Sequence, residues 1–105
     1  MKKKLLPLCF LASVVAFSLA SAVEPTHANL RYSKEYDRSV LDLWTVKSGK
    51  PSPLVVYFHG GGFKAGDKAV FRRNPFLKHH SKGIAFASVN YPFLAHTNKD
   101  YFKIM

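Results

Sequence analysis

A histidine followed by three glycines, at the end of an apolar run, is the feature of this sequence best suited to chemistry. The run Leu54–Phe58 leads directly into His59–Phe63, whose sequence is His-Gly-Gly-Gly-Phe. An apolar run without alternation predicts a strand buried on both faces, as in a parallel sheet. Glycines can take positive φ and bring bare N–H groups up to a substrate oxygen, where they stabilise negative charge during acyl transfer. The pattern therefore predicts an oxyanion-binding loop directly after a buried strand.

The nucleophile that would normally work with such a loop is missing from the sequence. No G-x-S-x-G occurs in the 105 residues, although this pattern exposes a catalytic serine on a sharp strand-to-helix turn. Ser88 lies within an apolar run and has no flanking glycines, so we expect it to pack in a strand and not to react. The glycine run also fails to match a phosphate-binding loop or a dinucleotide-binding fingerprint.

Two short segments before the apolar run predict an antiparallel hairpin. Residues 30–36 and 40–46 are rich in β-favouring residues, and the second segment alternates with a period of two. The polar residues 37–39 separate them as a turn. Residues 23–30 read as a polar leader without regular structure, and residues 48–53, rich in Ser, Gly and Pro, predict a loop.

The segment after the glycines predicts a connection, a short helix and a second buried strand. Residues 64–70 read as a polar connection, and Asn74-Pro75 followed by Gly83 predicts a helix over residues 75–82. Residues 84–91 are largely apolar and end at Pro92. A strand, a helix and a second buried strand in this order predict a βαβ crossover with parallel strands. The expected fold class is α/β, with an antiparallel edge hairpin followed by a parallel βαβ unit.

Three segments of the sequence resemble the N-terminal part of an α/β-hydrolase of the esterase/lipase, carboxylesterase-like kind. They are Leu41–Trp44, Pro53–Lys68 and Gly83–Tyr91, and they occur in the order found in that family. The sequence departs from the family at Tyr91-Pro92, where many members carry tyrosine and then arginine. The resemblance implies that residues 23–105 are an incomplete hydrolase domain that ends before the nucleophile.

The resemblance assigns roles to the residues of the glycine loop. Backbone N–H groups of Gly61 and Gly62 would form the oxyanion hole. Gly60 would serve the turn, and His59 would hold the loop through a side-chain hydrogen bond. His59 precedes any candidate serine, so it does not fit the order Ser, Asp or Glu, His of this fold. Phe63 would line the substrate pocket.

The implied function is that of an exported serine esterase or lipase acting on small-molecule carboxylic esters, inactive as this fragment, without metal or organic cofactor. Two alternatives stay open: a small secreted cationic binding protein without catalysis, and the N-terminal part of a prolyl-peptidase-like hydrolase. The sequence does not choose among carboxylester, acetyl-sugar, feruloyl and lipid substrates. It does not fix the oligomeric state.

Charge and histidine placement argue against two other classes of function. Lys and Arg number 16 against 6 Asp and Glu, a formal charge of +10, but the charges are scattered and form no aromatic-interleaved stripe typical of nucleic-acid binding. No carboxylate or cysteine completes a metal-ligand spacing with His79, His80 or His96, so we expect no metal site.

Residues 1–22 have the three parts of a cleavable signal peptide. Lys2–Lys4 form the positive region, Leu5–Leu19 the apolar region, and Ala20-Ser21-Ala22 the small-residue cleavage site. The apolar region is shorter than the roughly 20 residues that a spanning helix needs, so we expect no stable membrane anchor. The single cysteine lies within this leader, which leaves no disulfide for the exported chain.

We expect export to the periplasm or the extracellular space to remove residues 1–22. Mass spectrometry of the exported protein should then find Val23 as its first residue. An intact Met1 terminus in the membrane fraction would contradict this expectation.

Overall fold

Four strands form one mixed sheet in this computed structural model, which describes residues 21–104. The strands are β1 (His27–Arg31), β2 (Val40–Trp44), β3 (Leu54–Phe58) and β4 (Ala85–Val89). Their order in the sheet is β1-β2-β4-β3, with β3 parallel to β4 and both other pairs antiparallel. The architecture is therefore mixed α/β at a coarse level. It contains an antiparallel hairpin, as the sequence predicts, and a parallel pair of strands joined by a crossover.

The first strand lies earlier than the sequence predicts. β1 occupies His27–Arg31, mostly within the segment expected to be an unstructured leader. Bends and a turn within residues 32–38 replace most of the expected strand. Asn29 has a φ of 57° and interrupts the pairing register with β2 between His27 and Leu30. Such an irregularity breaks the period-two alternation from which strands are recognised, so the prediction for this strand was wrong.

The crossover between β3 and β4 consists of short 3₁₀ helices. The predicted helix over residues 75–82 has the expected bounds, Pro75–Lys82, and Gly83 ends it with a φ of 89°, but it is a 3₁₀ helix. A further 3₁₀ helix, Lys68–Arg73, begins within the expected polar connection of residues 64–70 and extends beyond it. Its first turn is capped by Asp67, which accepts from the Ala69 amide at 2.9 Å. A third, Tyr101–Lys103, follows β4.

β3 is an edge strand of the described sheet, which corrects the prediction that it is buried on both faces. Leu54 is 54% exposed and Phe58 62% exposed, whereas all five residues of β4 are buried. β3 is an apolar run and β4 is largely apolar, interrupted by Ser88. Such a pattern indicates a strand but does not distinguish a central strand from an edge strand. β4 is central because it pairs with both β2 and β3.

The main hydrophobic core lies between the sheet and the crossover. Trp44, Phe71, Leu77 and Phe86 form it, and Tyr57 packs against it. The rings of Trp44 and Phe71 meet edge to face at 5.7 Å, and those of Tyr57 and Phe71 stack at 4.6 Å. Trp44 is thus a core residue.

The proposed leader, residues 1–22, lies outside the described residues except for its last two. Within the part of the chain that the structure does describe, no helix has the length and apolar character required to cross a bilayer.

A buried ionic cluster joins β2 to the crossover. The fully buried carboxylate of Asp42 accepts from Lys68 Nζ at 2.7 Å and from Arg72 Nη2 at 3.0 Å. It also accepts from the Asn29 amide at 3.1 Å, which explains why the chain bulges in β1. Burial pushes the pKa of the Asp42 carboxyl upward, but these hydrogen bonds and the Lys68 charge outweigh burial and hold the pKa below its ordinary value of 3.8.

We expect Asp42→Asn to lower the free energy of unfolding by about 3–5 kcal/mol at neutral pH, because it leaves the buried Lys68 ammonium without its counter-charge and leaves Arg72 with Glu24 alone. Asp37→Asn, which alters an exposed acid in the first turn, is the matched control and should change stability little. Urea unfolding of the whole chain measures both.

The same carboxylate predicts the direction of pH dependence. A pKa lowered by folding contributes stability above the unfolded value of 3.8, and that contribution is lost as pH falls through the folded value. The stability difference between the wild type and Asp42→Asn should therefore shrink as the pH falls below 3.8 and through the folded pKa of Asp42. A difference that stays constant throughout the acid titration would refute the assigned role of the charge.

Candidate functional site

The glycine loop lies at the edge of the sheet where the two parallel strands end. His59 follows β3 directly, and Tyr91 follows β4 after one intervening residue. Because parallel strands present their carboxyl ends at one edge, these two residues meet: their rings stack at 4.5 Å with an interplanar angle of 14°. The loop is thus anchored to the neighbouring strand at its first residue.

His59 is 4% exposed, and both of its ring nitrogens have partners. Nδ1 lies 2.8 Å from the carbonyl oxygen of Gly60, and Nε2 lies 3.4 Å from Nη2 of Arg38. The hydroxyl of Tyr91 donates to the carbonyl oxygen of His59 at 2.5 Å. Burial raises the pKa of that tyrosine, which keeps its hydroxyl a donor. These contacts place His59 where a loop-supporting residue would lie.

The hydrogen bonds accepted by the loop carbonyls determine where its amides point. In a trans peptide the C=O and the following N–H point in opposite directions, and the described residues contain no cis peptide bond. Gly60 O is turned toward the His59 ring, so the Gly61 N–H points away from it. Gly61 O accepts from the Lys64 amide at 3.1 Å, which likewise turns the Gly62 N–H outward.

Four consecutive loop amides have no acceptor among the described residues. None of the N–H groups of residues 60–63 takes part in a hydrogen bond within residues 21–104. The loop is exposed, and φ is 132° at Gly61, 63° at Gly62 and 62° at Phe63. Free donors in a row are the property that an oxyanion site requires.

Close contacts with neighbouring atoms, and not loop flexibility, explain why glycine occupies two positions of this loop. A Cβ at Gly61 would overlap the carbonyl group of Ala65, and a Cβ at Gly66 would overlap the imidazole of His59. Gly66 therefore belongs to the structure of the loop, although it follows the His-Gly-Gly-Gly run by several residues. The spacing from His59 to Gly66 is a signal present in the sequence.

An apolar cavity of about 690 Å³ opens beside the glycine loop. Its floor is the sheet face opposite the crossover, formed by Leu41, Phe58 and Val89, and Phe63 lines it from the loop. The Phe63 ring meets that of Tyr101 edge to face at 5.7 Å. The remaining lining residues are Tyr32, His59, Gly60, Gly61, Gly62, Tyr91 and Ile104. The structure thus places Phe63 and the glycine loop at one cavity.

The described lining of this cavity contains no serine, cysteine or carboxylate. Ser88 lies on the other face of the sheet, where its hydroxyl donates to the Lys68 carbonyl at 2.8 Å. His80 Nε2 lies 2.6 Å from the Thr45 carbonyl oxygen, and His96 Nδ1 accepts from the Phe93 amide. Within residues 21–104 no three His, Cys, Asp or Glu side chains converge as a metal site would need.

Arg38 is the site residue that the sequence reading missed. It lies in the β1–β2 turn, and its guanidinium reaches the Tyr91 carbonyl at 3.0 Å, the Gly66 carbonyl at 3.0 Å and His59. Its sequence context identified it only as a turn residue, because nothing local indicates contacts with segments so distant in the chain.

Comparison with known proteins adds no family to these observations. No family model matches the chain, and no curated protein or solved structure is significantly similar to it.

Proposed function

We propose that the glycine loop is the oxyanion hole of a serine ester hydrolase, with Gly61 and Gly62 as the donors. The observation that supports this proposal is the row of loop amides without an acceptor, at the rim of an apolar cavity and directly after a parallel strand. The resemblance of the sequence to esterases and lipases agrees with it.

In this proposal the loop acts on the carbonyl oxygen of a bound ester. As a nucleophile attacks the carbonyl carbon, negative charge develops on that oxygen, and N–H groups already pointing at it stabilise the charge without rearranging. The apolar walls of the cavity exclude water and strengthen those hydrogen bonds. Loss of one such donor typically lowers kcat by about 10²–10³.

The attacking serine, its base and the acid that orients the base belong, in this proposal, to residues outside the described structure. His59 is unsuited to be the base, because Nδ1 faces the Gly60 carbonyl and Nε2 faces the Arg38 guanidinium. The apolar lining favours esters with an apolar acyl or alcohol group. The reaction needs no metal or organic cofactor.

Butylphosphonate tests the loop directly, because it joins a tetrahedral anionic head to an apolar tail. Titrated into the whole ¹⁵N-labelled chain, it should shift the amide resonances of Gly61 and Gly62 saturably, with an affinity on the order of millimolar. Butan-1-ol, which has the same tail without the anion, should leave both amides unchanged. Shifts that follow the basic surface residues and vanish with salt would support the cationic binding protein instead.

Gly62→Val and Gly49→Val form a matched pair for the same titration. The two glycines have φ values of 63° and 62°, and an added Cβ meets nothing within 4 Å at either. Both variants should lose about 1–2 kcal/mol of stability from the left-handed backbone. Only Gly62→Val should weaken butylphosphonate binding, by roughly tenfold or more, because the strained valine turns the amide. Unchanged binding by a folded Gly62→Val would refute the proposed hole.

The chain of 105 residues should hydrolyse p-nitrophenyl butyrate no faster than buffer does, since no serine, cysteine or carboxylate lines the described cavity. The absorbance of the released nitrophenolate measures this rate. Saturable hydrolysis that disappears in a variant of a described residue would show that the chain carries its own nucleophile.

A further inference from the structure

The guanidinium of Arg38 is fixed beside the His59 ring by contacts on three sides. Nε donates to the Tyr91 carbonyl and Nη2 to the Gly66 carbonyl, both at 3.0 Å. The group lies over the Phe93 ring with its central carbon 3.9 Å from the ring centroid. A planar cation held in this way presents only N–H donors to its neighbours.

The contacts of the two His59 ring nitrogens demand one protonation form of the imidazole. The Tyr91 hydroxyl oxygen also lies 3.4 Å from Nδ1, but its single proton is donated to the His59 carbonyl, so toward Nδ1 it can only accept. The Gly60 carbonyl accepts hydrogen bonds only, so Nδ1 at 2.8 Å must carry a proton. Nη2 of Arg38 donates only, so Nε2 at 3.4 Å must offer its lone pair. The imidazolium and the neutral form protonated at Nε2 would each direct an N–H at the guanidinium.

We infer that Arg38 is a positioning residue that selects the Nδ1-protonated neutral form of His59 and thereby orients the Gly61 amide. This inference rests on the proposed function for its importance, because the amide it orients is a proposed oxyanion donor. Arg38 does not contact the proposed reacting atoms and acts only through His59.

The effect passes through one peptide group. When Nδ1 carries the proton, it donates to Gly60 O and holds that carbonyl against the ring. The N–H of the same peptide, which belongs to Gly61, then points the opposite way, toward the open side of the loop. When Nδ1 lacks the proton, its lone pair faces the carbonyl oxygen and repels it, so the peptide is free to rotate.

The imidazole ¹⁵N spectrum of the whole chain tests the protonation form of His59. At a pH where the rings are neutral, long-range ¹H–¹⁵N correlations distinguish a protonated ring nitrogen from a bare one, and His59→Gln assigns the resonances. His59 should be protonated at Nδ1. His80, whose Nε2 lies 2.6 Å from the Thr45 carbonyl oxygen, should show the opposite form in the same spectrum. A His59 ring protonated at Nε2, or one averaging between forms, would overturn the inference.

Arg38→Met tests whether Arg38 makes the selection. Methionine keeps an apolar stem beside Phe93 and removes every donor, so the two ring ¹⁵N shifts of His59 should move toward each other as the forms exchange. Arg31→Met is the control, since Arg31 donates to the Ser33 and Tyr36 carbonyls of the same turn and does not contact His59. An unchanged His59 spectrum in folded Arg38→Met would show that Gly60 alone makes the selection, which would refute the role of Arg38.

Butylphosphonate separates this inference from the proposed function. Affinity in Arg38→Met should fall roughly tenfold, as it does when a partner that orients a functional group is lost. If the His59 spectra behave as expected but the wild type does not bind butylphosphonate, the positioning role stands and the oxyanion hole falls. If the wild type binds and Arg38→Met binds equally well, the oxyanion hole stands and the positioning role falls.

Discussion

The ion pairing of the buried Asp42 carboxylate is the interaction on which the rest of this structure depends. A charge taken out of water is tolerated only when it is paired, so Lys68 and Arg72 must both reach it from the crossover. A slip of β2 by one residue would carry Asp42 to the opposite face of the sheet and away from both cations. The cluster therefore fixes the register of β2 and the position of the crossover together.

The geometry of the glycine loop is fixed by residues that lie after β4. Tyr91 holds the first residue of the loop through the His59 carbonyl, and Asn90 holds the start of the crossover by accepting from the Lys68 amide at 2.8 Å and donating to Asp67 at 3.0 Å. Both ends of the loop are thus fixed to the two residues that follow β4. A loop held at both ends can keep the N–H groups of residues 60–63 in place although none of them donates a hydrogen bond within the described residues.

Local sequence signals predicted the features of this chain that are local in cause. Apolar runs marked β3 and β4, an Asn-Pro pair and a glycine marked the bounds of a crossover helix, and the glycine run marked the loop. The sequence did not reveal the early start of β1, because its bulge at Asn29 serves a carboxylate in another strand. It also did not reveal the role of Arg38 or the edge position of β3, since each depends on which distant segments come together. A sequence pattern identifies the type of secondary structure that a segment forms. It says much less about which distant segments that segment contacts.

The central position of β4 has a consequence for how the chain acquires this sheet. β4 pairs with residues of β2 that lie 42 to 48 positions earlier in the sequence. Most of the ladder therefore forms only after a long loop closes, and the entropic cost of that closure slows folding. During synthesis the β1–β2 hairpin and the apolar β3 emerge well before β4, with which both β2 and β3 pair. Until β4 arrives, β3 is an uncharged strand with two open edges, the kind of segment that pairs with other chains. The speed with which β4 joins the sheet therefore governs how much of the newly made protein escapes aggregation.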